Sequence, residues 1–173
     1  MRIAKDILNL TKKVKETIDK ELLSQQEIAP SDTYPILPYA LFENTRGYLE
    51  KINHQINTCY QKACYDASAV MIRRLIEILI IEVFNHHGMA QKIQNPNGDF
   101  LYLEDLIDKI LAETSWSLRK NTKKALGKKH FKTIGDQSAH GWRYNAHRTY
   151  IDEIKTELRE VSEELLYLAN LKK

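Results

Sequence analysis

The chain is poor in the residues that cross-link or punctuate a fold: 173 residues contain 2 Cys, 4 Pro and 6 Gly. Cys59 and Cys64 stand five apart, outside metal-ligand spacing and poorly placed to bridge, so both are expected as reduced thiols without a disulfide framework. Long hydrophobic runs are also missing. The most apolar stretch, Cys64 to Phe84, is broken by Arg73, Arg74, Glu77 and Glu82, which excludes a bilayer span, and MRIAKDILNL at the N-terminus lacks a secretory apolar core and cleavage site. A cytoplasmic protein with no membrane partner is the expectation. No strand alternation, internal repeat or low-complexity tract competes with helix anywhere. A content of 43% hydrophobic and 28% charged residues suits one soluble folded domain.

One further absence is local. Between Glu113 and Asp136 there is no acid, whereas Arg119, Lys120, Lys123, Lys124, Lys128, Lys129 and Lys132 all fall there. Setting those seven apart from the 26 Lys and Arg leaves 19 against 23 acids, so the formal +3 of the chain belongs to this segment. Such a run is either a solvated helix face or a phosphate-tracking patch for nucleic acid. Arg119, Lys120, Lys123, Lys124, Lys128 and Lys129 are the candidate nucleic-acid contacts.

What is present is helix periodicity. Ile3, Ile7, Leu10, Val14, Ile18 and Leu22 predict an amphipathic N-terminal arm over 1–27. Pro30, Pro35 and Pro38 then predict an extended linker over 28–38, because each Pro also bars helix at the residue before it. The remaining 39–173 form the helical domain. Asn44 or Thr45 is the expected cap of a helix carrying Tyr48, Leu49, Ile52 and Ile56. Cys64 to Phe84 is apolar nearly all round and free of Gly and Pro, the pattern of a central buried helix. On it Asp66, Arg73 and Glu77 share one stripe, read as a structural polar core of partnered charges or as the wall of a polar site. His86 and His87 diverge on the helix and predict no shared metal, and Gly88 is placed to end the helix. NPNGD (Asn95 to Asp99) reads as a turn before a helix with Leu103, Leu106, Ile107 and Ile110, and Trp116 reads as core. The long last helix carries Ile151, Ile154, Leu158, Val161, Leu165 and Leu168 as a heptad seam, suited to bundle packing or to a second subunit.

The stretch most suggestive of chemistry is HFKTIGDQSAHGWRYNAHR, His130 to Arg148. On a helix, Lys132, Asp136 and His140 lie four apart on one face. Asp136 could orient His140, Lys132 could neutralise a phosphate, and Gly141 would end the helix just past the imidazole, where the helix dipole favours the protonated form.

Two separated segments carry a family resemblance. YDASAVMIRRLIE (Tyr65 to Glu77) and KTIGDQSAH (Lys132 to His140), followed by a long amphipathic helix, resemble the HEPN superfamily of nucleotide-binding helical domains, chiefly its uncharacterised bacterial branch. The resemblance covers roughly Thr45 to Leu168. It implies an all-α, HEPN-like bundle that dimerises, commonly acting as a metal-independent endoribonuclease in toxin–antitoxin, antiviral defence or RNA-processing systems. In active members an Arg, a polar residue and a His form the site, which maps the last two onto Asp136 and His140. Gly135 stands where the Arg is expected, and a Gly offers only a backbone amide to the scissile phosphate. Lys132 and Arg143 are the nearby substitutes, so the candidate catalytic set is His140, Asp136, Lys132 and Arg143, with no metal and no cofactor.

Three readings follow. The domain cleaves RNA through His140; or it is a catalytically silent module binding RNA or a nucleotide; or it is a non-catalytic dimerisation scaffold, an accessory or neutralising subunit for a protein from the same operon.

Overall fold

The computed structural model describes residues 10–17 and 34–173. The chain divides after Thr33 into two units. In the first, residues 10–17 are helical (α1). The rest of the expected arm, and the linker as far as Thr33, lie outside the described residues.

The second unit is all helix. It comprises α2 (Tyr39–Phe42), α3 (Gly47–Gln61), α4 (Tyr65–His86), a 3₁₀ turn (Ala90–Ile93), α5 (Leu103–Ala112), α6 (Lys120–Gly127), α7 (His130–His140) and α8 (Arg148–Leu168). Among the described residues there is no strand beyond an isolated bridge of Gln94 with Phe100, closed around the Asn95 turn, where the Asn95 side chain accepts from the amides of Asn97 and Asp99. No helix of the described residues is long and apolar enough to cross a membrane.

Helix α4 is the axis of the bundle. Ile72, Leu75, Ile76, Leu79, Ile80 and Val83 are fully buried, and the helix packs on α3, α5, α7, α8 and the 3₁₀ turn. Each such side chain contributes about 1.5–3 kcal/mol when removed from water, so Leu79→Ala alone should cost roughly 2–5 kcal/mol. Its pairing with α3 is antiparallel. Ser68 donates to the Ile56 carbonyl at one end (3.2 Å), while at the other Glu82 accepts from Arg46 (3.0 Å) and from the Tyr48 hydroxyl. Burial and the Glu82 carboxylate push the Tyr48 phenol up to about 12.

The start of α3 differs from expectation. Its N-cap is Arg46 rather than Asn44 or Thr45. Asn44 takes a left-handed turn (φ 61°) and gives its amide to Glu50 (2.9 Å), while the Thr45 hydroxyl donates back to Phe42. Glu50, one turn into the helix, thus reaches back to the chain before the cap, while no side chain caps the first turn itself.

The last residues of the proline-rich stretch belong to the core. Ile36 and Leu37 are fully buried. Their backbone bends here outside any helix or ladder, so side chains satisfy it: Asn57 donates to the Leu37 carbonyl (2.8 Å) and accepts its amide (3.2 Å), and Arg159 donates to the carbonyls of Ile36 (2.6 Å) and Pro35 (2.7 Å).

Helix α8 turns its heptad seam inward. Ile151, Ile154, Leu158, Val161 and Leu165 are buried in this bundle, and Leu168 packs at its margin. Glu164, also buried, accepts from the Arg119 amide (2.6 Å) and the Thr122 hydroxyl. This carboxylate caps α6 from the neighbouring helix and fixes which face of α6 looks outward.

Candidate functional site

The site is organised by a glycine. A Cβ on Gly135 would lie 2.5 Å from Cβ and 2.9 Å from Cδ of Arg73, so only Gly lets α7 approach α4 this closely. Lying against Gly135, the Arg73 side chain extends along α7 and donates from Nε to Asp136 Oδ1 (2.6 Å) and from Nη1 to Glu77 Oε2 (3.3 Å). The other Asp136 oxygen faces Lys132 Nζ (3.2 Å), which also meets Glu104 (3.1 Å). Glu104 in turn pairs with Lys129 (3.2 Å), and Lys129 with Asp108 (3.1 Å). An alternating chain of charges therefore runs from α4 across α7 to α5. Hydrogen bonds from Lys132 and then Lys129 hold the Glu104 carboxyl below its usual range, and the same carboxylate raises Lys132. Above this chain opens a cleft of about 430 Å³ lined by Arg73, Tyr102, Glu104, Asp105, Lys132, Asp136 and His140.

The cleft brings together three of the four residues expected to carry chemistry, in a different arrangement. Lys132, Asp136 and His140 share its wall. Asp136 does not orient His140, however: its two oxygens are engaged by Arg73 and Lys132, and among the described residues His140 makes no hydrogen bond or ion pair. Arg143 does not line the cleft but lies over the Trp142 ring, 4.0 Å from its centroid. Gly141 ends α7 as expected, through close approach rather than a left-handed turn: a Cβ there would meet the Gln137 carbonyl oxygen at 2.6 Å.

The expected polar stripe of α4 divides. Arg73 and Glu77 pair with each other, whereas Asp66 accepts the Ala146 amide (2.9 Å) and ties down the loop before α8. Arg73 and Asp136 are about 30% exposed, at 27% and 31%, so their pair forms a wall open to solvent rather than an interior network.

The basic segment divides too. Lys128 pairs with Glu157 of α8, Lys129 with Glu104 and Asp108, and Lys132 with Glu104 and Asp136. The side chains of Arg119, Lys120, Lys123 and Lys124 make no ion pair among the described residues. The three lysines occupy the solvent face of α6, opposite buried Thr122, Ala125 and Leu126, with Arg119 at the N-cap. Replacing Lys128 or Lys129 by an acid would set like charges side by side, so those two positions serve the fold as much as any ligand.

Arg73, marked by spacing as part of a polar core or of the wall of a polar site, lines this cleft, whereas the sequence did not mark Glu104, the carboxylate joining Lys132 to Lys129, or Tyr102, 81% exposed at the cleft mouth. Only Gly135, a helix breaker inside a helix, carried a signal of close approach. Trp116 packs edge-on to Phe84 (5.2 Å) and against His87 (4.5 Å). Among the described residues, no group of three or more His, Cys, Asp or Glu could hold a metal ion. No family model, curated protein or solved structure matches the chain.

Proposed function

We propose that this chain is a HEPN-like module that binds RNA without cleaving it. The observation that carries the reading is a contrast in pairing: Arg119 at the α6 N-cap and Lys120, Lys123 and Lys124 on its exposed face make no ion pair among the described residues, while the cleft cations are engaged by carboxylates of the same chain. A polyanion gains most from cations that need not first leave an internal partner. Cleavage asks for more than binding. A general base or acid needs an orienting partner, and the phosphate charge needs an unencumbered donor. Asp136 holds Arg73 and Lys132 instead of His140, and the guanidinium of Arg73, whose aliphatic stem lies against Gly135, is spanned by Asp136 and Glu77. The motif that the resemblance assigns to catalysis thus supports a structural role.

The HEPN resemblance supports placing such a module in a bacterial defence or toxin–antitoxin setting, and supports a homodimer. The α8 seam is buried in its own bundle, so it contributes nothing to a second subunit. Light scattering giving a monomer mass at micromolar concentration would remove the dimer.

The test uses a fluorescein-labelled single-stranded RNA and total RNA in EDTA. Saturable anisotropy at low salt with intact RNA on a gel is the expected result. Metal-independent cleavage that Asp136→Ala or His140→Ala abolishes would replace the silent reading by the nuclease one. Absence of any binding would leave the protein-interaction scaffold.

A further inference from the structure

A second cavity lies on another face of α7, between that helix and the start of α8, with a volume of about 270 Å³. Its floor is apolar, from Ile134 and Ile154. Tyr144 and Tyr150 line it with rings 18° from parallel and centroids 6.4 Å apart. Around them stand His130, Gln137 and Glu153, and among the described residues none of these three side chains makes a hydrogen bond or ion pair of its own. The cavity contains no Lys or Arg. A phosphate is therefore not what it suits, whereas a flat, donor-bearing ring is: aromatic walls hold a planar ligand by its faces and a few converging polar groups read its edge. The volume, just below the roughly 300 Å³ at which ligand pockets usually begin, suits one bicyclic ring with its sugar outside.

The carboxylate decides which ring. An ionised Glu accepts and cannot donate, and it binds best to two parallel donors. Of the nucleobases only guanine presents two adjacent N–H donors, N1–H and the 2-amino group. Adenine and cytosine set an acceptor nitrogen beside their amino group, and uracil flanks its one N–H with carbonyls. Gln137 can serve the remaining edge, because its amide both donates and accepts. We propose that this cavity is a guanine-binding pocket, with Glu153 reading the Watson–Crick edge and Tyr144 and Tyr150 packing on the base. The inference does not depend on RNA binding by α6, since the base could be supplied by a free guanine nucleotide or by a guanosine within a strand.

Calorimetric titration of the full chain with guanosine monophosphate, with inosine and adenosine monophosphates and inorganic phosphate as controls, tests it. Saturable binding of the guanosine nucleotide is expected, at least tenfold weaker for inosine, which lacks one donor, and weaker still for adenosine. A site built to bond a donor rejects the analogue lacking it. Glu153→Gln should lose the preference for guanosine, and Tyr150→Ala should weaken all three nucleotides. Both positions are exposed, so an unchanged melting temperature verifies the fold. Equal affinity for the guanosine and adenosine nucleotides, no heat at millimolar guanosine monophosphate, or an unchanged preference in Glu153→Gln would overturn the pocket. An oligoribonucleotide with a single G, compared with its A counterpart, separates the sources: a G-dependent gain lost in Glu153→Gln assigns the base to RNA, and its absence beside good mononucleotide binding assigns a free nucleotide. Lys120→Glu/Lys123→Glu/Lys124→Glu should leave guanosine monophosphate binding unchanged, so failure of the pocket and failure of the α6 reading remain distinguishable.

Discussion

The two halves of one acid-free run behave differently. Lys120, Lys123 and Lys124 on α6 project into solvent without an ion-pair partner among the described residues, whereas Lys128, Lys129 and Lys132, only a turn or two further on, are taken up by Glu157, Glu104, Asp108 and Asp136. Both halves look alike as a string of lysines. The difference arises because α5 and α8 bring their acids against the α6–α7 junction and not against the outer face of α6. Charge density along a sequence is thus no measure of the potential at a surface, and the cations that matter for a polyanion are those the fold leaves unsatisfied.

Between these two halves, the largest expected effect comes from removing the contact that builds the paired one. Gly135→Ala forces a Cβ to within 2.5 Å of the Arg73 Cβ, and overpacking of that kind should cost about 1–3 kcal/mol in urea denaturation. Gly135→Arg, which restores the residue that the family resemblance expects, should be more damaging still. It should not create nuclease activity.

Glu164→Ala probes the support of the unpaired half. It strips the Arg119 amide and the Thr122 hydroxyl of their buried acceptor, and a loss of roughly 1–3 kcal/mol is expected, with Thr122→Val losing less. If α6 is held by packing alone, chemical denaturation of Glu164→Ala will match the wild type.

Next in size is acid sensitivity of the paired half. The Glu104 carboxyl sits below its usual range when folded, because Lys132 and Lys129 bond to it. Such a group contributes stability that is present above its unfolded pKa of 4.5 and lost as pH falls through the lower folded value. Glu113, held at about 2 by Lys92 and by Ser115, behaves in the same sense. Melting temperatures of wild type and Glu104→Gln should therefore converge as pH drops below 4.5. The smallest effect should be that of His140→Ala, whose side chain is exposed and without a hydrogen bond among the described residues. Melting temperature and RNA affinity should both change little.

Much of the scaffold was legible because it follows from periodicity. The burial of α4, the apolar seam of α8 and the end of α7 at Gly141 all come from spacing within one helix, whereas the turn of that seam into its own bundle rather than toward a second subunit does not. The partners across helices did not. Nothing local to Arg73 says that its guanidinium will reach Asp136, because that contact depends on where Gly135 falls in another helix. Likewise the acids that neutralise Lys128 and Lys129 lie more than twenty residues away along the chain. Ile36 and Leu37 did offer a signal, an apolar pair inside a proline-rich stretch, but only the side chains of Asn57 and Arg159 show how its backbone is satisfied in the core. The cavity beside Tyr144 and Tyr150 was not legible at all, since it exists only where the loop before α8 folds back on α7.

The most direct test of the account compares the salt dependence of RNA binding in three proteins: the wild type, the α6 variant Lys120→Glu/Lys123→Glu/Lys124→Glu, and a variant of the paired half, Lys128→Gln/Lys129→Gln. Each phosphate contact on a single strand contributes about 0.7 to the slope of log affinity against log salt, so the α6 variant should lose roughly 2 from the slope and most of its low-salt affinity. The paired-half variant should keep the wild-type slope while melting at a lower temperature. Equal slopes for wild type and the α6 variant, or a loss confined to Lys128→Gln/Lys129→Gln, would contradict the claim that the unsatisfied face of α6 is where RNA binds.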